Sequence, residues 1–222
     1  MNKIALYAIV ALAPLLCAAT VTSGHLYGRY NDGVYTAPGK LFRLTSPFPD
    51  QPVVSDGQEP ANNKAGAVSF IDSAGRMQGV LYMNNKGYKA ADGASPDPKL
   101  LGDWFRDMGF PRFYQVSVPD AKVLRDEAGT IAGQPAWIAV AHVPNGSPLG
   151  TPIKDSYDLK RNDSYRGMAV VARGDRYYLL QTELRIEKLA GPEWFYDEAA
   201  ANWNQFVPEL EALYQRIEFL KQ

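Results

Sequence analysis

The sequence predicts an α+β protein with an antiparallel sheet that is flanked by two helices. Short segments of alternating apolar and polar residues occur in pairs around turn residues, which is typical of antiparallel hairpins. Two longer segments repeat apolar residues at helical spacing, and each follows a group of strands instead of alternating with single strands. Hydrophobic residues make up 46% of the 222 residues, which is ample for a core.

Two hairpins are predicted before the first helix. The segment "VYTAPGKLFRLTSP" places Pro38 and Gly39, residues that suit a tight turn, between two short alternating segments. The segment "AGAVSFIDSAGRMQGVLYMNN" has turn residues at 73–75, and its second half alternates between two side-chain faces. Both segments therefore favour strands that pair with their neighbours in the chain.

The first helix is predicted over residues 98–108 because both of its ends are marked. Asp97 can cap the free amides at the start, and Pro98 fits the first helical position. Gly109 can adopt the left-handed conformation that ends a helix, and Pro111 disfavours continuation. Apolar residues recur along one face of this segment, which indicates packing on a sheet.

Four strands and a second helix are predicted after the first helix. The segment "KVLRDEAGTIAG" pairs with "QPAWIAVAHVP", and "YRGMAVVARGDRYYLLQTEL" folds back on itself at Gly174 and Asp175. Two of these strands are apolar on both faces, as expected for central strands that are covered on each side. The second helix is predicted over residues 192–218, with a bend near Pro208, which lacks an amide hydrogen.

Residues 144–165 form a long segment without clear periodicity between the last two strand pairs. Loops of this length are uncommon in compact domains and usually mark a functional segment, the alternative being an insertion without a function. A recognition site is expected to combine aromatic and arginine side chains. Tyr157, Tyr165 and Arg166 are therefore the candidate ligand- or partner-binding residues.

The first 24 residues are predicted to be an export signal or an N-terminal membrane anchor. Lys3 is followed by an apolar run up to Leu16, and small residues come after it. Residues 25–32 are then a tether, and residues 33–222 form a single domain that contains the long loop. The protein is accordingly expected in the periplasm or anchored to the membrane of the cell envelope.

Cys17 is the only cysteine of the chain, and it follows the apolar run directly. This placement resembles the lipobox of bacterial lipoproteins, in which a cysteine becomes lipid-modified and then N-terminal. The lipobox usually has a small residue before the cysteine, whereas here Leu16 stands there and Pro14 replaces the usual leucine. Three alternatives stay open: lipidation at Cys17, cleavage of a signal after Ala19 or Gly24, and a helix retained in the membrane.

The sequence favours a protein without catalytic activity. No cysteine lies beyond position 17, and His25 and His142 are the only histidines, so few nucleophiles and bases are available. The chain has no motif for a nucleotide cofactor, a nucleophilic serine or a metal site, and neither a cofactor nor a metal is predicted. The alternative is a small secreted hydrolase that uses carboxylates of the long loop, with Asp155, Asp158 and Asp163 as the candidates.

The distribution of charges along the chain indicates which class of partner to expect. The 23 basic and 24 acidic residues give a formal net charge of −1, and both signs are interspersed along the sequence. Nucleic acid is not a predicted partner, because its binding needs a concentrated basic face. An envelope protein or a small polar ligand is expected instead, with the membrane contacted through the N-terminus.

Three segments resemble the PsbP-like family, which includes the extrinsic protein of photosystem II and several bacterial envelope lipoproteins. "YTAPGKLFRL" is similar to the family's first strand pair, and "GQPA" at residues 133–136 is similar to the start of its central hairpin. The aromatic C-terminal helix is similar to its last element. The chain lacks the family's Gly-Trp pair after the first hairpin and adds the loop at 144–165. The resemblance implies an α/β/α sandwich that serves as a non-catalytic binding or assembly module.

Overall fold

The computed structural model describes residues 26–50, 52–58, 65–73, 76–84, 96–115, 118–143, 164–185 and 195–220. The strands in these residues are β1 (Arg29–Asn31), β2 (Val34–Thr36), β3 (Phe42–Thr45), β4 (Val53–Gln58), β5 (Ala65–Ile71), β6 (Met77–Asn84), β7 (Lys122–Ile131), β8 (Gln134–Val143), β9 (Ser164–Arg173), β10 (Arg176–Arg185) and β11 (Ile217–Phe219). The helices are α1 (Pro98–Trp104), which continues through π-helical segments at Phe105–Gly109 and Pro111–Gln115, and α2 (Phe195–Gln215).

The strands form two antiparallel sheets, and the predicted α+β class is confirmed. The large sheet contains seven strands in the order β4-β5-β6-β10-β9-β8-β7, and the small sheet has the order β1-β2-β3-β11. The predicted pairs β5–β6, β7–β8 and β9–β10 are all present in the large sheet. The sequence predicts one sheet, whereas the first hairpin pairs with β11 near the C-terminus and so belongs to a second sheet.

One face of the large sheet packs against α2 and the small sheet. Phe206 and Leu213 of α2 are buried in this core together with Phe42 of the small sheet. The Phe42 ring meets the rings of Tyr82 and Tyr178 edge-on, with centroids 5.6 and 5.9 Å apart. Burial raises the pKa of both tyrosines, that of Tyr178 to about 12, so both hydroxyl groups stay neutral at physiological pH.

The opposite face of the large sheet packs against α1 and the π-helical segments. Leu101, Trp104 and Phe105 are buried there against β8–β10. The Trp104 ring meets the Tyr177 ring of β10 edge-on at 5.1 Å. The large sheet is therefore covered by helix on both faces, which is the layer order of an α/β/α sandwich.

The first helix begins as predicted but does not end as predicted. The Asp97 carboxylate accepts a hydrogen bond from the Lys99 amide at 2.9 Å, and Pro98 occupies the first helical position. The chain stays helical beyond residue 108, and the Phe110 amide donates to the carbonyl of Phe105, five residues back. Pro111 has no amide hydrogen and needs room for its ring one turn earlier, and the wider π-turns around it provide that room.

Two short strands lie where the sequence predicts a tether and the end of a helix. Residues 29–31 of the predicted tether form β1, and the turn that follows contains Asp32 and Gly33 at φ of 48° and 75°. The predicted second helix runs to residue 218, but its last two residues, 217 and 218, belong to β11, because α2 ends at Gln215 and the following side chains alternate between core and solvent. Pro208 lies inside α2, and the bend near it stays a prediction.

The N-terminal predictions fall outside the described part of the chain. Residues 1–25, which include Cys17, are not among the described residues, so export and lipidation stay predictions. Within the described ranges, no helix is both long enough and apolar enough to cross a membrane.

Candidate binding groove on the small sheet

The outer face of the small sheet forms the floor of a groove of about 1050 Å³. Alternation along the strands turns apolar side chains such as Tyr35 and Leu44 toward the core and leaves polar side chains outside. The strand register arranges the outward residues in two rows: one crosses all four strands, and the other crosses β1, β2 and β3 and ends at Arg216, directly before β11. One row is Arg29, Thr36, Arg43 and Glu218, and the other is Asn31, Val34, Thr45 and Arg216.

A carboxylate of the large sheet holds the groove wall that precedes β1. The backbone amides of Tyr27 and Gly28 donate to Asp56 at 3.0 and 2.7 Å, and the Tyr35 hydroxyl donates to the same carboxylate at 2.6 Å. Burial and, secondarily, the charge of Asp56 raise the pKa of Tyr35, so this hydroxyl keeps its proton. Glycine is required at position 28, because a Cβ atom there would lie 2.5 Å from the Tyr35 ring and from the carbonyl oxygen of Thr36.

The groove carries an excess of positive charge. Its exposed basic side chains are Arg29, Lys40, Arg43 and Arg216, and its acidic side chains are Asp32 and Glu218. Arg43 Nη1 lies 3.5 Å from Glu218 Oε2, and both side chains are more than half exposed, so this ion pair contributes little to stability and leaves Arg43 accessible. The groove is thus a polar, locally basic surface on a chain whose formal net charge is −1.

The structure places the predicted binding residues Tyr165 and Arg166 at the start of β9 with their side chains buried. Tyr165 is 2% exposed and packs in the core beneath α2, where its ring lies 5.7 Å from that of His142. Arg166 is 0% exposed and points to the opposite face, beneath the second π-helical segment. Neither side chain reaches the surface, and Tyr157 lies outside the described residues. A recognition role for these three residues stays a prediction.

Arg166 belongs to a buried polar cluster. Its guanidinium forms an ion pair with Glu183, which lies directly opposite on β10. The guanidinium carbon lies 4.9 Å from the centre of the Tyr114 ring, and the Tyr114 hydroxyl donates to Gln181 Oε1. Burial lowers the pKa of Arg166, but Glu183 and Tyr114 outweigh burial and raise it, so Arg166 stays charged. The cluster fixes the second π-helical segment on the sheet.

The hydrolase alternative depends on three acidic residues of the long loop and stays a prediction. Asp155, Asp158 and Asp163 lie outside the described residues. His142 is half-buried on β8, where it lies opposite Tyr165 in the strand register. In the ranges that the structure describes, no group of three or more histidine, cysteine or acidic side chains is arranged to hold a metal ion.

The groove was not predicted, although part of its signal is present in the sequence. Asp32-Gly33 is a strong signal for a tight hairpin, and it follows a segment in which Arg29 and Asn31 flank Tyr30. This pattern predicts a short strand with polar residues on one face. The contribution of β11 has no comparable local signal, because its three residues continue directly from a helix.

No protein-family model matches the chain, and no curated protein sequence matches it. Among solved structures, the chain is similar to a protein of Bacteroides thetaiotaomicron, with 8% identity and a TM-score of 0.43 over 86% of this chain. The match covers 49% of that protein, so this chain spans about half of its length.

Two further solved structures are similar over most of their own length. Cyanobacterial PsbP from Synechocystis matches over 89% of this chain and 99% of that chain, with 11% identity and a TM-score of 0.43. The Ran-binding protein Mog1p of Saccharomyces cerevisiae matches over 86% of this chain and 96% of that chain, with 10% identity and a TM-score of 0.41. Cyanobacterial PsbP is a protein of the family that three segments of this sequence resemble. These similarities concern the fold alone.

Proposed function

We propose that this chain is a non-catalytic binding or assembly module and that the groove on the small sheet is its binding surface. The observation that carries this proposal is the set of four exposed basic side chains on one concave surface of a chain that is otherwise close to neutral. Concave polar surfaces with a local charge excess attract ligands of the opposite charge and fix their orientation. The groove therefore suits a polar ligand with negative charge.

The two acidic side chains of the groove are not spaced for paired-carboxylate hydrolysis. Asp32 and Glu218 are its two acidic side chains, and they lie two to three strands apart in the small sheet. At about 4.8 Å per strand this separation is about 10–14 Å, whereas paired-carboxylate hydrolysis uses about 5–9.5 Å. The geometry of the groove favours binding over this chemistry.

We also propose that the protein is exported to the bacterial cell envelope and held at the membrane by its N-terminus. This proposal is supported by the apolar run before Cys17 and by the lipobox-like position of that cysteine. An envelope protein with an accessible basic groove would then recruit or organise a partner close to the membrane.

Site-specific photo-crosslinking in the producing cell tests the groove. A photoreactive amino acid at Thr36, on the groove floor, is expected to give a discrete adduct, and the same amino acid at exposed Leu124 on β7 is expected not to give it. Charge reversal by Arg29→Glu with Arg43→Glu should reduce the adduct at Thr36 at least about tenfold, since each exposed ion pair contributes up to about 1 kcal/mol and reversal adds repulsion.

Deletion of residues 146–162 distinguishes binding at the groove from binding at the long loop. The loop joins the large sheet at Val143 and Ser164, whereas the small sheet packs near Tyr178, which lies opposite Val171. Ser164 and Val171 are about 23 Å apart along β9 at about 3.3 Å per residue. If the groove is the binding surface, the deletion should leave the Thr36 adduct unchanged. Loss of the adduct on deletion, with no effect of charge reversal, would identify the loop as the binding surface instead.

A further inference from the structure

The geometry points to an extended acidic segment of a partner polypeptide as the ligand of the groove, with its carboxylates bound by Arg29 and Arg43. This inference rests on the proposed function of the groove and names the chemical class of its partner. It is carried by the order of side chains across the small sheet and by the size of the groove.

Arg29 and Arg43 flank Thr36 in one row across the sheet. They lie two strands apart, so their backbone positions are about 10 Å apart. In an extended peptide, side chains two residues apart lie on the same face and are separated by about 6.6 Å. Two flexible arginine side chains can converge on two carboxylates at that spacing, and each guanidinium can bind its carboxylate through two parallel hydrogen bonds. The Thr36 hydroxyl lies between them as a further donor.

The acidic residues of the groove favour a polypeptide over a uniformly charged surface. Glu218 lies 3.5 Å from Arg43, and Asp32 lies in the turn at the other side of the sheet. A membrane of anionic lipids or another polyanion would meet both carboxylates with like charge. A polypeptide can place carboxylates on the arginines and neutral or basic side chains opposite Glu218 and Asp32, which gives charge complementarity along the whole groove.

The surroundings of the groove do not suit membrane insertion. The large apolar side chains that are exposed within the described residues are Tyr27, Val53 and Leu124, and only Tyr27 lines the groove. A bilayer contact would need a contiguous apolar face beside the basic one. At about 1050 Å³ the groove has room for an extended segment of several residues.

Peptide binding to the full-length protein in detergent micelles tests the inference. One synthetic peptide alternates glutamate and serine over twelve residues, and a second peptide has glutamine in place of every glutamate. The glutamate peptide is expected to bind with an affinity that falls as salt is raised, because the charged groups are exposed. The glutamine peptide should bind at least about tenfold more weakly.

Variants of the groove show whether binding uses the predicted side chains. Arg29→Gln with Arg43→Gln should weaken binding of the glutamate peptide at least about tenfold. Arg125→Gln, which removes a half-buried arginine of β7 outside the groove, should leave it unchanged. Circular dichroism and thermal unfolding of each variant confirm that the fold is retained.

Several outcomes would overturn the inference. Equal binding of both peptides, no binding of the glutamate peptide, or equal loss in the Arg125→Gln variant each contradicts it. Binding of phosphatidylglycerol vesicles or inorganic phosphate that needs Arg29 and Arg43, without binding of the glutamate peptide, also overturns it. In that case the Thr36 crosslink would still depend on Arg29 and Arg43, so the proposed binding function would stand and only the ligand class would be wrong.

Discussion

Arg166 and Glu183 place two opposite charges on a face of the large sheet whose other buried residues are mostly apolar. Moving an ion pair out of water is costly, and its attraction offsets that cost only when both charges are present. Each side chain therefore depends on the other, and Tyr114, which donates to Gln181, packs its ring against the guanidinium. This arrangement assigns Arg166 a role in holding the second π-helical segment on the sheet.

Removal of one charge of the Arg166–Glu183 ion pair should show that each side chain depends on the other. Glu183→Gln is expected to lower the free energy of unfolding by about 3–5 kcal/mol, because it leaves the buried guanidinium without its counter-charge. Urea unfolding followed by circular dichroism measures the loss. Replacement of both residues, Arg166→Met with Glu183→Leu, should recover most of the stability. A Glu183→Gln variant as stable as the wild type would contradict the structural role.

At the scale of elements, each helix packs closely on the large sheet at a position where one of the two contacting residues is glycine. Gly102 of α1 lies against the Trp137 ring of β8, where a Cβ atom would come within 2.7 Å of ring carbon Cδ2. Gly167 of β9 lies beneath Phe206 of α2, where a Cβ atom would come within 2.4 Å of ring carbon Cδ1. Both contacts place a helix close to the sheet, and both depend on the missing side chain.

Gly167→Ala is expected to destabilise the protein by about 1–3 kcal/mol, because the new methyl group forces α2 away from the sheet. The cost should shrink in a Phe206→Leu background, and a double-mutant cycle from thermal or urea unfolding measures this coupling. Gly129→Ala is the matched control, since its Cβ atom would meet only the movable end of Ile138. Equal costs in both backgrounds would exclude the Phe206 contact as the reason for glycine.

The elements that the sequence predicted are those with local signals. The β5–β6, β7–β8 and β9–β10 pairs join neighbours in the chain, and α1 begins at the capping residue Asp97. β11 was not predicted, because its pairing with β3 joins opposite ends of the chain and brings Glu218 beside Arg43. The groove depends on that pairing. The burial of Arg166 likewise follows from the strand register, which the sequence of β9 alone does not specify.

At the scale of the whole molecule, the groove lies close in sequence to the proposed membrane attachment. Cys17 precedes Tyr27, the first lining residue of the groove, by only ten positions. A fully extended chain spans at most about 3.3–3.6 Å per residue, so the groove wall would lie within about 36 Å of a lipid on Cys17. Asp56 binds the amides of Tyr27 and Gly28 and so fixes that end of the chain to the large sheet. Attachment at Cys17 would hold the groove near the membrane surface and present it to partners there.

Cys17→Ser should therefore move the protein from the detergent phase to the aqueous phase in a phase-separation experiment, because the only cysteine that can carry the lipid is lost. If the partner is itself held at the membrane, the same substitution should lower the yield of the Thr36 crosslink. The reason is that the effective concentration of the groove beside that partner drops. Mass spectrometry of the purified wild-type N-terminus identifies the attachment directly, as a chain that begins at a lipid-modified Cys17. A wild-type chain that begins after Ala19 or Gly24 would instead establish plain secretion, and one that keeps Met1 would establish a retained helix.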